Sequence, residues 1–229
     1  MNLQRQAILA ALPSTLPVMA GYLPLGAAFG LLFGDLGYHW GWASAVSLFV
    51  FAGSAQFLAV GLLAAHAGIV ETGIALFLLN IRHLVYGFSM LSRYAAAGWR
   101  KPYLVFGLTD ETFALLSTAK APVGVNADDF RLWVTALNQC YWVVGTTAGA
   151  IAGSALSLNT TGLEFALTAL FAVLLVEQIL ALREWFPFLL AGFAGLGAIA
   201  LAGPERMLLA ALAVTFAILL VRANASWSQ

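Results

Sequence analysis

Residues 12–34 read LPSTLPVMAGYLPLGAAFGLLFG and lie within 29 uncharged residues between Arg5 and Asp35. A helix needs about 20 apolar residues to cross about 30 Å of hydrocarbon, so this segment is long enough to span a bilayer. Tyr22, Gly26, Gly30 and Gly34 recur every fourth position along it, the small-residue spacing that lets membrane helices approach closely. Pro13, Pro17 and Pro24 interrupt it, and Pro24 frees the carbonyl of Ala20 beside Gly21. Two outcomes are open. The helix is broken and offers backbone groups to a ligand, as in many transporters, or it is kinked and packed by neighbours.

The rest of the chain has the same character. Of its 229 residues 62% are hydrophobic and 9% charged, and the mean hydropathy is +0.92. A soluble domain is nearer half apolar and a quarter charged. Ten basic residues balance ten acidic ones, which excludes the basic footprint of a nucleic-acid binder and the composition of a disordered chain. The single Cys140 supplies neither an intrachain disulfide nor a zinc cluster, and no metal or cofactor is expected. Neither lysine, Lys101 or Lys120, follows a glycine as a P-loop requires, so nothing points to ATP. The reading is an all-α, multi-pass membrane protein.

Uncharged stretches of 35 residues between Asp35 and Glu71, 32 between Arg131 and Glu164, and 20 between Glu184 and Glu205 mark further spans. We read seven in one membrane domain covering 1–229: 12–34, 43–65, 70–91, 133–154, 163–182, 187–202 and 207–221. The last two are short. Met1–Ala11 is polar and leads straight into the first span, without a signal peptide. Residues 102–119 carry Asp110 and Glu111 at their middle, which would be costly facing lipid. If they do not cross, Arg93, Arg100, Lys101, Lys120, Arg131, Arg183 and Arg222 share one side, with Arg5 and Arg206 opposite. The positive-inside rule then favours an external N-terminus, with 93–131 a cytoplasmic or re-entrant connection.

The tyrosine–glycine stripe recurs at Tyr141, Gly145, Gly149 and Gly153, 119 residues on, and each following span holds a glutamine, Gln56 or Gln178. Three spans between the two starts would invert the second copy, giving a 3+3 inverted repeat over 12–92 and 132–203 plus a C-terminal helix. The other reading is that small-residue stripes recur in unrelated membrane helices.

Polar residues inside spans are the candidates for function, since each needs a partner or a purpose. Asn80, Arg82, His83 and Tyr86 form the densest cluster. Arg82 offers a planar fork for a carboxylate, and His83 exchanges protons near neutral pH; the alternative is that Arg82 snorkels or pairs as structural glue. Asp110 and Glu111 can meet an ammonium or pair with Arg82, or cap a surface turn. Adjacent residues point about 100° apart on a helix, so only one is expected to line a cavity. Gln56, Asn138, Gln139, Glu177 and Gln178 read either as ligand contacts or as interhelical hydrogen bonding. His39 and His66, in short loops, are poor relay candidates.

Phe51-Ala52-Gly53-Ser54-Ala55-Gln56-Phe57, Asn80-Ile81-Arg82-His83-Leu84-Val85-Tyr86-Gly87, Leu108-Thr109-Asp110-Glu111-Thr112 and Leu174-Leu175-Val176-Glu177-Gln178, in that order, resemble the AzlC (YgaZ-like) family over nearly the whole chain. These are large subunits of bacterial branched-chain amino-acid exporters. The resemblance implies efflux of valine, leucine or isoleucine, extending to methionine, through the inner membrane. It also implies a small hydrophobic AzlD-type membrane subunit as partner.

The combined expectation is a secondary transporter and no enzyme. Its zwitterionic substrate would sit between the helix sets, with its carboxylate at Arg82 or at Tyr22. Its ammonium would meet Asp110, Glu111 or Glu177. Three rivals are a channel for another small solute, a membrane-embedded enzyme using His83 with Asp110, and a scaffold whose partner carries the transport residues.

Overall fold

The computed structural model describes residues 3–156, 184–203 and 207–227, with isolated positions between 165 and 180. Glu177, Gln178 and the expected span 163–182 lie outside the described residues. Among the described residues the chain is helical throughout and contains no strand.

Helix α1 (Leu3–Asp35) and helix α8 (Ala127–Leu156) form the spine. Each is 30 residues or more, about 45–50 Å at 1.5 Å per residue. They pack along each other through the two stripes. A Cβ on Gly26 would lie 2.9 Å from the Trp142 carbonyl oxygen, and one on Gly145 would lie 2.5 Å from the Leu23 carbonyl oxygen. Gly30 abuts the backbone of Thr146 and Ala150, and Gly149 that of Ala27. Gly153 meets Leu31, whereas Gly34 has open space around it.

Partners rise together along both helices, 23 with 145, 27 with 149 and 31 with 153. The two helices therefore run parallel. An inverted second copy would oppose them, so the stripes do not carry the inversion expected from three intervening spans.

Nor is α1 broken. It is continuous through all three prolines, which lie on its exposed side while the glycine face is held against α8. The freed carbonyls lie away from any site.

Helices α2 (Trp40–Phe49) and α3 (Gly53–Ala64) replace the expected span 43–65. Ser44 Oγ meets Thr147 Oγ1 at 2.7 Å, and Gln139 Nε2 donates to the Leu48 carbonyl at 2.9 Å, so α2 descends antiparallel to α8. The chain reverses at Val50–Ala52, where Phe51 takes φ +43°. Helix α3 then climbs back along α1: Phe57 packs on Phe29, and the residues after α3, His66 and Ala67, share a surface recess with Leu36 and Tyr38. The pair is a hairpin with both ends at the C-terminal end of α1. Hydropathy cannot distinguish such a pair from one crossing of equal length.

Helices α4 (Ile69–Asn80) and α5 (Arg82–Met90) run the other way, with a turn at Ile81. Met90 and the following Tyr94 and Ala97 join Ala11 and Phe130 in one apolar cluster. By length and composition, 4–35 and 69–90 qualify as membrane spans. Helix α8 is more polar because it buries Thr135, Asn138, Gln139 and Thr146.

A 3-10 turn (Gly98–Arg100), α6 (Lys101–Phe106) and α7 (Asp110–Thr118) form a second hairpin. Arg100 pairs with Asp129 and Arg93 Nη2 donates to the Ser117 carbonyl, so both of its ends lie near the start of α8. It enters from the opposite end to the first hairpin. The Arg5 end of α1 thus lies beside 93–131 rather than across from it, which overturns the expected external N-terminus relative to that segment. The error came from counting 43–65 as a crossing.

Helices α9 (Phe186–Ala202) and α10 (Met207–Trp227) pack on each other, and α10 touches α4.

Candidate functional site

The two hairpin tips, Val50–Ser54 and Gly107–Asp110, come together beside Tyr22, midway along α1. Between them lies a cavity of about 530 Å³ including its mouth, lined by Tyr22, Leu25, Phe51–Ser54, Phe57, Arg82, His83, Thr109–Glu111 and Trp142. Ligand sites typically combine apolar walls with a few convergent polar groups, and this lining does so.

Arg82 opens α5 at the break after Asn80. Its Nη2 lies 2.8 Å from Asp110 Oδ2 and donates to Ser54 Oγ at 2.7 Å. With side-chain exposures of 21% and 30%, Arg82 and Asp110 are largely removed from solvent but still open to the cavity. Arg82 Nε and Asp110 Oδ1 are buried and have no hydrogen-bond partner among the described residues. Leaving such groups unpaired costs about 1–3 kcal/mol each.

Asp110 and Glu111 form the first turn of α7, whose N-cap Thr109 accepts a hydrogen bond from the Thr112 amide at 3.3 Å. The Tyr22 hydroxyl donates to Glu111 Oε2 at 2.6 Å and lies 2.8 Å from Thr109 Oγ1. Both carboxylates line the cavity, against the expectation that only one would. The reason is their place at a hairpin tip, where the first turn faces the cavity from its end.

The opposite wall is aromatic. Trp142 stacks on Phe29 and meets Tyr22 and Phe57 edge-on. At the tip of the first hairpin, the N-terminus of α3 has no side-chain cap.

Other candidates stand behind the wall. Gln56 donates to Ser47 Oγ at 3.0 Å and accepts from Trp142 Nε1 at 2.9 Å. Asn138 donates to Thr112 Oγ1 at 3.0 Å, and Gln139 accepts from the Tyr103 hydroxyl at 2.6 Å. These three fasten the hairpins to α8. Asn80 Nδ2 donates to the Leu76 carbonyl, and His83 Nδ1 lies 3.1 Å from the Asn80 carbonyl oxygen. Tyr86 stacks on Phe113 of α7. Among the described residues no His, Cys, Asp and Glu cluster could hold a metal ion.

Sequence reasoning missed Trp142, which sits in mid-helix rather than at an interfacial end; its position next to Tyr141 in the glycine stripe was the available signal.

The model of the AzlC protein family matches residues 17–156, the stretch holding both hairpins and the cavity. The chain belongs to the AzlC family. Relatives agree: it is 41% identical to the branched-chain amino acid transport protein AzlC of Bacillus subtilis over 75% of this chain and 68% of that one. It is 44% identical to an uncharacterized membrane protein of Helicobacter pylori J99, over 73% and 74%. It is 30% identical to the inner membrane protein YgaZ of Escherichia coli K12, over 73% and 69%. No solved structure matches significantly. This AzlC-family chain is thus a helical membrane protein whose polar groups meet midway along the α1–α8 spine.

Proposed function

We propose that the chain exports branched-chain amino acids across the bacterial inner membrane, working with a small AzlD-type subunit. The observation that carries this reading is the meeting, in one cavity midway along the spine, of the Arg82–Asp110 ion pair with an aromatic wall. The substrate carboxylate meets the Arg82 guanidinium and the uncapped amides of α3, whose helix dipole favours an anion. The substrate ammonium meets the Asp110 carboxylate. The aliphatic side chain lies against Leu25, Phe51, Phe57 and Trp142. Such a wall separates substrates differing by one methylene only weakly, which fits transport of valine, leucine and isoleucine alike.

The bundle orientation follows from charge. Arg5, Arg93, Arg100, Lys101, Lys120 and Arg131 all lie at one end of the α1–α8 spine, and the positive-inside rule makes that end cytoplasmic. The α6–α7 hairpin then enters from the cytoplasm and α2–α3 from outside, so the cavity lies between two opposed tips.

The test is valine export from loaded bacteria lacking their own exporters, carrying the chain alone, the chain with its small neighbour, or Arg82→Gln with that neighbour. Export that needs both chains and is lost in the variant at normal membrane level supports the proposal. Export unchanged in Arg82→Gln contradicts it.

A further inference from the structure

The cavity contains one fixed cation and two carboxylates, and they are not equivalent. Asp110 has Arg82 as its ion partner at 2.8 Å. No cation among the described residues pairs with Glu111. Its side chain is open to the cavity although its partner Tyr22 stands midway along α1. An ionised group at that depth is costly without a counter-charge, and water in the cavity can bring it a proton.

Tyr22 is placed to satisfy either form. Its hydroxyl has two neighbours, Glu111 Oε2 at 2.6 Å and Thr109 Oγ1 at 2.8 Å. When Glu111 is a carboxylate, Tyr22 donates to it. When Glu111 carries a proton, the hydroxyl can turn to donate to Thr109, the N-cap of α7, while accepting from Glu111. The change of charge thereby reaches the hydrogen bond that fixes the second hairpin tip to α1.

The other charged and titratable groups facing this corner are Arg82, His83, Asp110 and Tyr86 of α5, which lies beside Asp110 and Glu111. His83 is tied through Nδ1 to the Asn80 carbonyl oxygen of its own turn, and Arg82 and Asp110 neutralise each other.

We propose that Glu111 is the proton-carrying group of an exchanger: it takes a proton from water on one side of the membrane and releases it on the other, while the amino acid bound at Arg82 and Asp110 moves the opposite way. The proposal rests on the transport reading above. A zwitterion carries no net charge, so an exchange of one proton per amino acid moves one positive charge inward per molecule exported.

The experiment uses everted membrane vesicles containing the full chain and its small neighbour. It measures exchange of labelled for unlabelled valine with the gradient collapsed, and valine accumulation driven by an acidic interior. In wild type both are expected. In Glu111→Gln, driven accumulation should fall at least about tenfold, to the level without a gradient, a larger loss than that of exchange. Glu111→Asp should recover part of the driven accumulation. Absence of exchange in wild type would overturn the transport reading itself. Exchange in wild type with no response to the proton gradient would overturn coupling alone. Loss of both activities in Glu111→Gln, or uncoupling by His83→Gln with Glu111→Gln still coupled, would overturn the assignment to Glu111.

Discussion

Arg82 Nη2 stands 2.8 Å from Asp110 Oδ2 and 2.7 Å from Ser54 Oγ, so one guanidinium joins the tips of two hairpins entering from opposite ends of the spine. Removing one partner of a buried ion pair costs about 3–5 kcal/mol, and the residual exposure of both groups reduces that toward the lower figures of surface pairs. Arg82→Lys keeps the charge but loses the planar fork. Its valine export should fall at least about tenfold, with Arg82→Gln lower still, at membrane levels checked by immunoblot. A fully active Arg82→Lys would show that a point charge suffices.

The stripes give a graded test. At Gly30 an added Cβ would run into the backbone of Thr146 and Ala150, whereas Gly34 has open space. Overpacking typically costs about 1–3 kcal/mol. Gly30→Ala and Gly149→Ala should therefore lower the unfolding temperature in detergent by several degrees, and Gly34→Ala should leave it unchanged. Equal effects at Gly30 and Gly34 would contradict the parallel α1–α8 contact.

Hairpin topology is checked by thiol labelling in a Cys140→Ser background. Cysteines at Gly37 and Ala67 should react from the same side of the membrane, and cysteines at Gly98 and Lys120 from the other. Labelling of 37 and 67 from opposite sides would restore a full crossing at 43–65.

Trp142 both walls the cavity and donates to Gln56 Oε1 at 2.9 Å. Trp142→Phe keeps most of the apolar surface but leaves a buried acceptor unpaired, at about 1–3 kcal/mol. The variant should be less stable to heat while still exporting valine. Trp142→Ala should in addition raise the valine concentration needed for half-maximal export.

Much of this arrangement was legible in the sequence, for physical reasons that can be named. Glycines at four-residue spacing announced close helix packing, and Gly26, Gly30, Gly145 and Gly149 are in backbone contact. Charges too costly for lipid singled out Arg82, Asp110 and Glu111, and the three line one cavity with Tyr22 and His83. The direction of the stripes was not legible, because it depends on how often the chain crosses between them. The first hairpin turns at Phe51, whose positive φ has no glycine or proline to signal it. With the same apolar length as a span, α2 and α3 passed for one. Conversely Pro24 suggested a break in α1 that the packed glycine face does not permit.

The most direct test of the central claim, that the substrate binds between the hairpin tips, is equilibrium binding of labelled valine to the purified full-length chain. Wild type, Arg82→Gln and Asp110→Asn would be compared, with unlabelled leucine, isoleucine and lysine as competitors. The account predicts saturable binding displaced by leucine and isoleucine but not by lysine, weakened at least about tenfold in both variants. Binding of equal strength in all three proteins would place the substrate elsewhere and contradict the account.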